Sequence, residues 1–90
     1  MAFCNRLFFV SGSVQGVGFR YQTAHQGLSL GLTGYAKNLN NGDVEVLVCG
    51  DANKVDEFVA WLKKGPRSAF VAKLVEQPTD KQVTRDFSIL

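Results

Sequence analysis

Gly12-Ser13-Val14-Gln15-Gly16-Val17-Gly18-Phe19-Arg20 follows the apolar run Leu7 to Val10 and precedes residues spaced as in a helix. The stretch reads as a glycine-rich connection from a strand into a helix. Its three glycines allow unusual backbone angles and let the main chain come close to a bound group. A helix N-terminus behind such a loop offers unpaired N–H groups and the positive end of a dipole, which together favour an anion. Arg20 is the only formally charged residue between Ser11 and Ala36. A cation in a first helical turn opposes the dipole, and no acidic neighbour in sequence compensates it, so Arg20 calls for a negative partner. Glycine-rich turns beside a solvated Arg are also common in proteins without an anion site. Two familiar nucleotide signatures are excluded: Gly16-Val17-Gly18 lacks the third glycine of the dinucleotide fingerprint, and no Gly-Lys-Ser/Thr follows.

Outward from that loop, residues 3–10 form an apolar and aromatic strand. Residues 18–30 form a helix with Tyr21, Ala24 and Leu28 as its apolar stripe and Gly31 at its C-terminal stop. His25, with no Cys, Asp or Ser partner in sequence, reads as a solvated side chain rather than a catalytic one. Strands 32–39 and 43–49 flank Asn40-Asn41-Gly42, a strong hairpin signal. The second of these alternates, with Val44, Val46 and Val48 on one face and Glu45, Leu47 and Cys49 on the other, so one face is buried and the other at least partly open. Asp51 or Asn53 caps a helix whose stripe is Val55, Phe58, Val59 and Leu62, with Lys63 and Lys64 at its end and Gly65-Pro66 as the stop. Residues 70–75 form a strand, 78–82 a turn, and 84–90 a last strand or strand extension.

The order is strand, helix, strand, strand, helix, strand. Two helices with one stripe each must cover one face of an antiparallel sheet, which is the α+β, ferredoxin-like βαββαβ sandwich. A right-handed crossover returns the second strand parallel to the first, so Asn38 near its end comes close to the glycine loop and Arg20. Asn38 has two readings here: its amide braces the hairpin turn, or it orients a water, since an amide both donates and accepts.

Ninety residues, 46% hydrophobic and 20% charged, make a single domain, 1–90, with a packed core. The net charge of +2 is scattered, which favours small anions over nucleic acid. An RNA-binding domain shares the element order and has aromatics such as Phe8 and Phe9 in its first strand. It also needs an aromatic, basic third strand, and Asp43-Val44-Glu45-Val46-Leu47-Val48-Cys49 is the opposite. No leader pattern or membrane-spanning run is present, so a cytoplasmic protein is expected. Cys4 and Cys49 have no metal-ligand spacing and read as free structural thiols, which lie on opposite faces of the sheet if Phe8 and Val10 point to the helices.

Two segments resemble the signatures of one family. Gly12 to Arg20 resembles G-x-V-Q-G-V-x-F-R, the first signature of the acylphosphatases. Gly34-Tyr35-Ala36-Lys37-Asn38-Leu39-Asn40-Asn41-Gly42-Asp43-Val44 resembles the second, G-aromatic-small-x-N-x-x-x-G-x-V. The resemblance implies hydrolysis of acyl phosphates to carboxylate and inorganic phosphate. Phosphate would sit in the loop of Ser13, Val14, Gln15, Gly16, Val17, Gly18, Phe19 and Arg20, gripped by Arg20, while Asn38 positions the attacking water. It also implies a monomer that uses no metal and no cofactor, takes a small-molecule acyl phosphate, and binds inorganic phosphate or sulfate as a product-like ligand. A non-catalytic anion-binding module using the same loop is the competing reading.

Overall fold

The computed structural model describes residues 2–90. Seven elements follow in order: β1 (Phe3–Ser13), α1 (Phe19–Ser29), β2 (Thr33–Asn38), β3 (Val44–Asp51), α2 (Ala52–Lys64), β4 (Phe70–Gln77) and β5 (Phe87–Ile89). The sheet order is β4-β1-β3-β2-β5. β1 runs antiparallel to β3 and β4, and β2 antiparallel to β3, which is the expected four-stranded arrangement. The last segment adds a short fifth strand, parallel to β2. β4 and β5 occupy opposite edges, so the intervening residues must cross the uncovered face of the sheet.

Both helices pack on the other face. Phe8, Val10, Ala36, Val44, Val46 and Val48 meet Val55, Phe58, Val59 and Leu62 of α2 in one core. The expected stripe of α2 is therefore the buried one, and its start is set by Asp51, whose Oδ2 accepts from the Lys54 N–H at 3.3 Å.

α1 departs from expectation. Of Tyr21, Ala24 and Leu28 only Ala24 is buried, while Tyr21 and Leu28 are 65% and 55% exposed. The inward face is Phe19, Thr23, Ala24 and Gly27. Close approach decides this: a β-carbon on Gly27 would lie 2.4 Å from the ring of Phe87, so small side chains face inward to admit an aromatic from β5. Beyond Phe19, the small residues Thr23, Ala24 and Gly27 take the buried face because the space beside them is already filled.

The opposite sheet face is covered more than its alternation suggests. Leu7, Leu47 and Cys49 form a second buried cluster, with Val83 of the crossing segment packed on it. Thr33 Oγ1 donates to the Val83 carbonyl at 2.5 Å, and Lys81 Nζ lies 3.3 Å from the Tyr35 hydroxyl and 3.6 Å from Glu45. Tyr35 donates to Glu45. Burial, then that hydrogen bond, pushes the Tyr35 phenol above its ordinary value. Cys49 belongs to this cluster, and burial raises its thiol, whereas Cys4 packs against the helix-covered core. Both are free thiols, on opposite faces.

Gly34, which opens the second signature, has a physical requirement behind it. Its φ is 154°, and a β-carbon there would sit 1.8 Å from the backbone oxygen of Leu47. The obstacle is main chain of the neighbouring strand, so no rotamer change relieves it. Gly34→Ala is expected to destabilise the fold by roughly 2–3 kcal/mol, combining backbone strain with overpacking. A urea midpoint indistinguishable from wild type would contradict this.

Candidate active site

The glycine loop begins where β1 changes register against β4, between Ser11 and Gly12. Such an irregularity bends the strand and re-aims the residues beyond it. Gly12 permits the bend, since a β-carbon there would lie 2.1 Å from the Phe70 carbonyl oxygen. Ser13 is the exposed last residue of β1. Val14 and Phe19 are buried in the core at 1% exposure each and hold the loop at both ends. Between them Gly16 and Gly18 take left-handed φ values of 75° and 77°.

Gly18 is also the N-cap of α1, and it brings no side chain to cap the helix, nor is there an acidic residue in the first turn. Among the described residues, no protein acceptor takes the backbone N–H groups from Gln15 to Tyr21. The first helical N–H with a partner is that of Gln22, bonded to the Gly18 carbonyl at 3.1 Å. A run of N–H groups without protein acceptors around a helix N-terminus is an arrangement that can cradle an anion. On its outer side Ser68 Oγ donates to the Val17 carbonyl at 2.9 Å and accepts from Gln22 Nε2 at 3.1 Å.

Arg20 pairs with no Asp or Glu side chain among the described residues. Its Nη1 donates to the Leu90 main-chain oxygen at 2.8 Å. The same oxygen accepts from the Asn38 N–H at 3.1 Å, and the Leu90 N–H donates to Ala36 at 2.8 Å. The structure thus brings Arg20 and Asn38 together through a third residue beyond β5. Along β2 the Asn38 side chain shares the helix-facing side with Ala36. Its Oδ1 is buried with no hydrogen-bond partner among the described residues. The hairpin turn is braced by Asn41 instead, whose Oδ1 accepts from the Asp43 N–H at 3.0 Å and whose Nδ2 donates to Asp43 Oδ2 at 3.2 Å.

Gln15 contributes its N–H to the cradle, but its side chain turns away. Nε2 donates at 2.8 Å to both the Leu39 and the Asp43 carbonyls, at the neck of the hairpin. Gln15 and Leu90 thus link the loop to the strand that carries Asn38. Sequence reasoning placed Gln15 only as a loop member and did not single out Leu90 or Ser68. Nothing in a single chain pairs residues 24, 70 or 51 positions apart.

His25 is exposed on the outer side of α1. A cleft of about 360 Å³ lined by Asn5, Thr33, Cys49 and Val83 opens at the far end of the sheet, away from the glycine loop. No cluster of His, Cys, Asp and Glu able to hold a metal occurs among the described residues, and no helix is long and apolar enough to cross a membrane.

Residues 6–89, from before the loop to the end of β5, match the acylphosphatase family model. The chain belongs to the acylphosphatase family. It is 59% identical over 87 residues to an acylphosphatase of Vibrio parahaemolyticus, covering 97% of this chain and 96% of the relative. It also superimposes on an acylphosphatase from Coxiella burnetii, with TM-score 0.89 and 34% identity, covering 98% of this chain and 93% of the other. Against the acylphosphatase from Bacillus subtilis the TM-score is 0.88 at 31% identity, with 99% of both chains covered. Acylphosphatase membership makes the chain a hydrolase of acyl phosphates, and the ferredoxin-like fold is the one those two structures share with it.

Proposed function

We propose that phosphate is held by the 13–20 loop and by Arg20, and that Asn38 orients the water which attacks it. The observation that carries this reading is the convergence of Arg20 and Asn38 on one oxygen of Leu90, beside seven consecutive backbone N–H groups, from Gln15 to Tyr21, that have no acceptor among the described residues. The cradle binds the phosphoryl oxygens and the guanidinium balances their charge. The buried, unpartnered Oδ1 of Asn38 accepts a hydrogen bond from the water and points its lone pair at phosphorus. As the water oxygen bonds to phosphorus, the bond from phosphorus to the acyl oxygen breaks, carboxylate leaves, and the water proton ends on the phosphate as dihydrogen phosphate.

Carboxylate is a good leaving group, and phosphoryl transfer depends mainly on position and charge stabilisation. Arg20, the N–H groups and Asn38 therefore suffice without a covalent nucleophile, a metal or a cofactor. The reading extends to a single-domain monomer, 1–90, acting in the cytoplasm on small-molecule acyl phosphates, with inorganic phosphate or sulfate competing for the cradle and no nucleic acid as partner. Benzoyl phosphate hydrolysis in excess chelator tests it. Metal-independent turnover inhibited by inorganic phosphate is the expected result, and binding of phosphate without turnover would leave only an anion-binding module.

A further inference from the structure

We infer that Gln15 is a positioning residue that sets Asn38 against the anion cradle. The inference rests on the reading of Asn38 as the water-orienting group and goes beyond it. An amide nitrogen has two hydrogens, and those of Gln15 Nε2 are both used, on the Leu39 and Asp43 carbonyls at 2.8 Å each. Those carbonyls also close the neck of the hairpin: Leu39 N–H donates to Asp43 at 2.9 Å and Gly42 N–H donates to Leu39 at 3.2 Å. Leu39 directly follows Asn38. At the other end of the cradle, Arg20 and the Asn38 N–H share the Leu90 oxygen. Asn38 is thus held from two sides, by Leu90 before it and by Gln15 after it, and each tether ends in a residue of the cradle.

This arrangement fixes the distance between the phosphate seat and the water seat. Without the Gln15 amide, the loop would still present its N–H groups, because Val14 and Phe19 anchor it in the core. The hairpin would then be free to drift relative to it. Misplacement of a reacting group by about 1 Å costs roughly 10²-fold in rate, so the loss falls on turnover and spares phosphate binding.

The test uses the full chain with benzoyl phosphate as substrate and inorganic phosphate as competing ligand. It compares Gln15→Ala, Gln15→Glu, Asn38→Ala and the double alanine variant. Gln15→Ala is expected to lose roughly 10- to 100-fold in kcat, with inhibition by phosphate near that of wild type. In the Asn38→Ala background the same change should cost less than about 3-fold, because groups acting as a unit are non-additive. In Gln15→Glu the carboxylate faces two carbonyl oxygens and donates to neither, whereas its protonated form donates to one. Its kcat relative to wild type should therefore rise as the pH falls from about 8 to about 5.

Additive losses in the double variant, or a parallel loss of phosphate inhibition, would overturn the inference. Should Gln15→Ala not fold, a flat pH ratio for Gln15→Glu overturns it alone. A wild-type chain that does not turn over acyl phosphate removes the proposed function itself, so the two failures are distinguishable.

Discussion

Arg20→Ala is expected to lose roughly 10³-fold or more in kcat/KM, in the range that a transition-state arginine contributes to phosphoryl transfer, and to lose phosphate binding with it. The guanidinium pairs with no Asp or Glu side chain among the described residues, and the Leu90 oxygen it touches is shared with Asn38. A charged hydrogen bond contributes about 1.5–3 kcal/mol, so the inhibition constant for phosphate should rise by roughly 10- to 100-fold. Lysine at the same position keeps the charge but not the fork. It cannot hold Leu90 and a phosphate oxygen in one plane, and it should recover only part of the affinity. Titration of phosphate against Arg20→Ala reads the effect directly, and unchanged inhibition would remove Arg20 from the anion site.

Asn38→Ala is expected to separate turnover from binding. Losing one oriented hydrogen-bonding group typically costs about 10²–10³-fold in kcat. An interaction made chiefly in the transition state is lost with kcat and kcat/KM falling together. Phosphate should bind this variant almost as it binds wild type, since the N–H cradle and Arg20 are intact. The alternative role for Asn38, bracing the hairpin turn, predicts about 1 kcal/mol of lost stability with activity kept. The structure assigns that bracing to Asn41 and leaves the Asn38 Oδ1 buried without a partner. Thermal midpoint and kcat measured on one preparation decide the matter: a destabilised but fully active Asn38→Ala would take Asn38 out of the mechanism.

The contrast between the two helices shows where a sequence stops being informative. For α2 the stripe Val55, Phe58, Val59 and Leu62 is the buried face, because the helix lies on a sheet of valines with room for branched side chains. For α1 the same rule selects Tyr21 and Leu28, which face solvent. Hydrophobicity states what a side chain gains by burial, but not how much space its neighbours leave, and Phe87 had already taken the space beside Gly27. β5 was similarly half legible: residues 84–90 were readable as extended, but no local pattern indicates that the chain first crosses the back of the sheet and then pairs parallel to β2.

The sequence by itself determined the element order, the α2 core stripe, the hairpin at Asn40-Asn41-Gly42 and the loop that presents Arg20. These follow from short-range constraints, namely periodicity, glycine backbone freedom and turn chemistry, which act within a few residues. Only the tertiary structure decided the fifth strand, the small inward face of α1, and the two tethers from Gln15 to the hairpin neck and from Arg20 through Leu90 to Asn38. Each joins positions 24 or more residues apart in the chain, and such a pairing depends on where the whole backbone places two groups rather than on the character of either one.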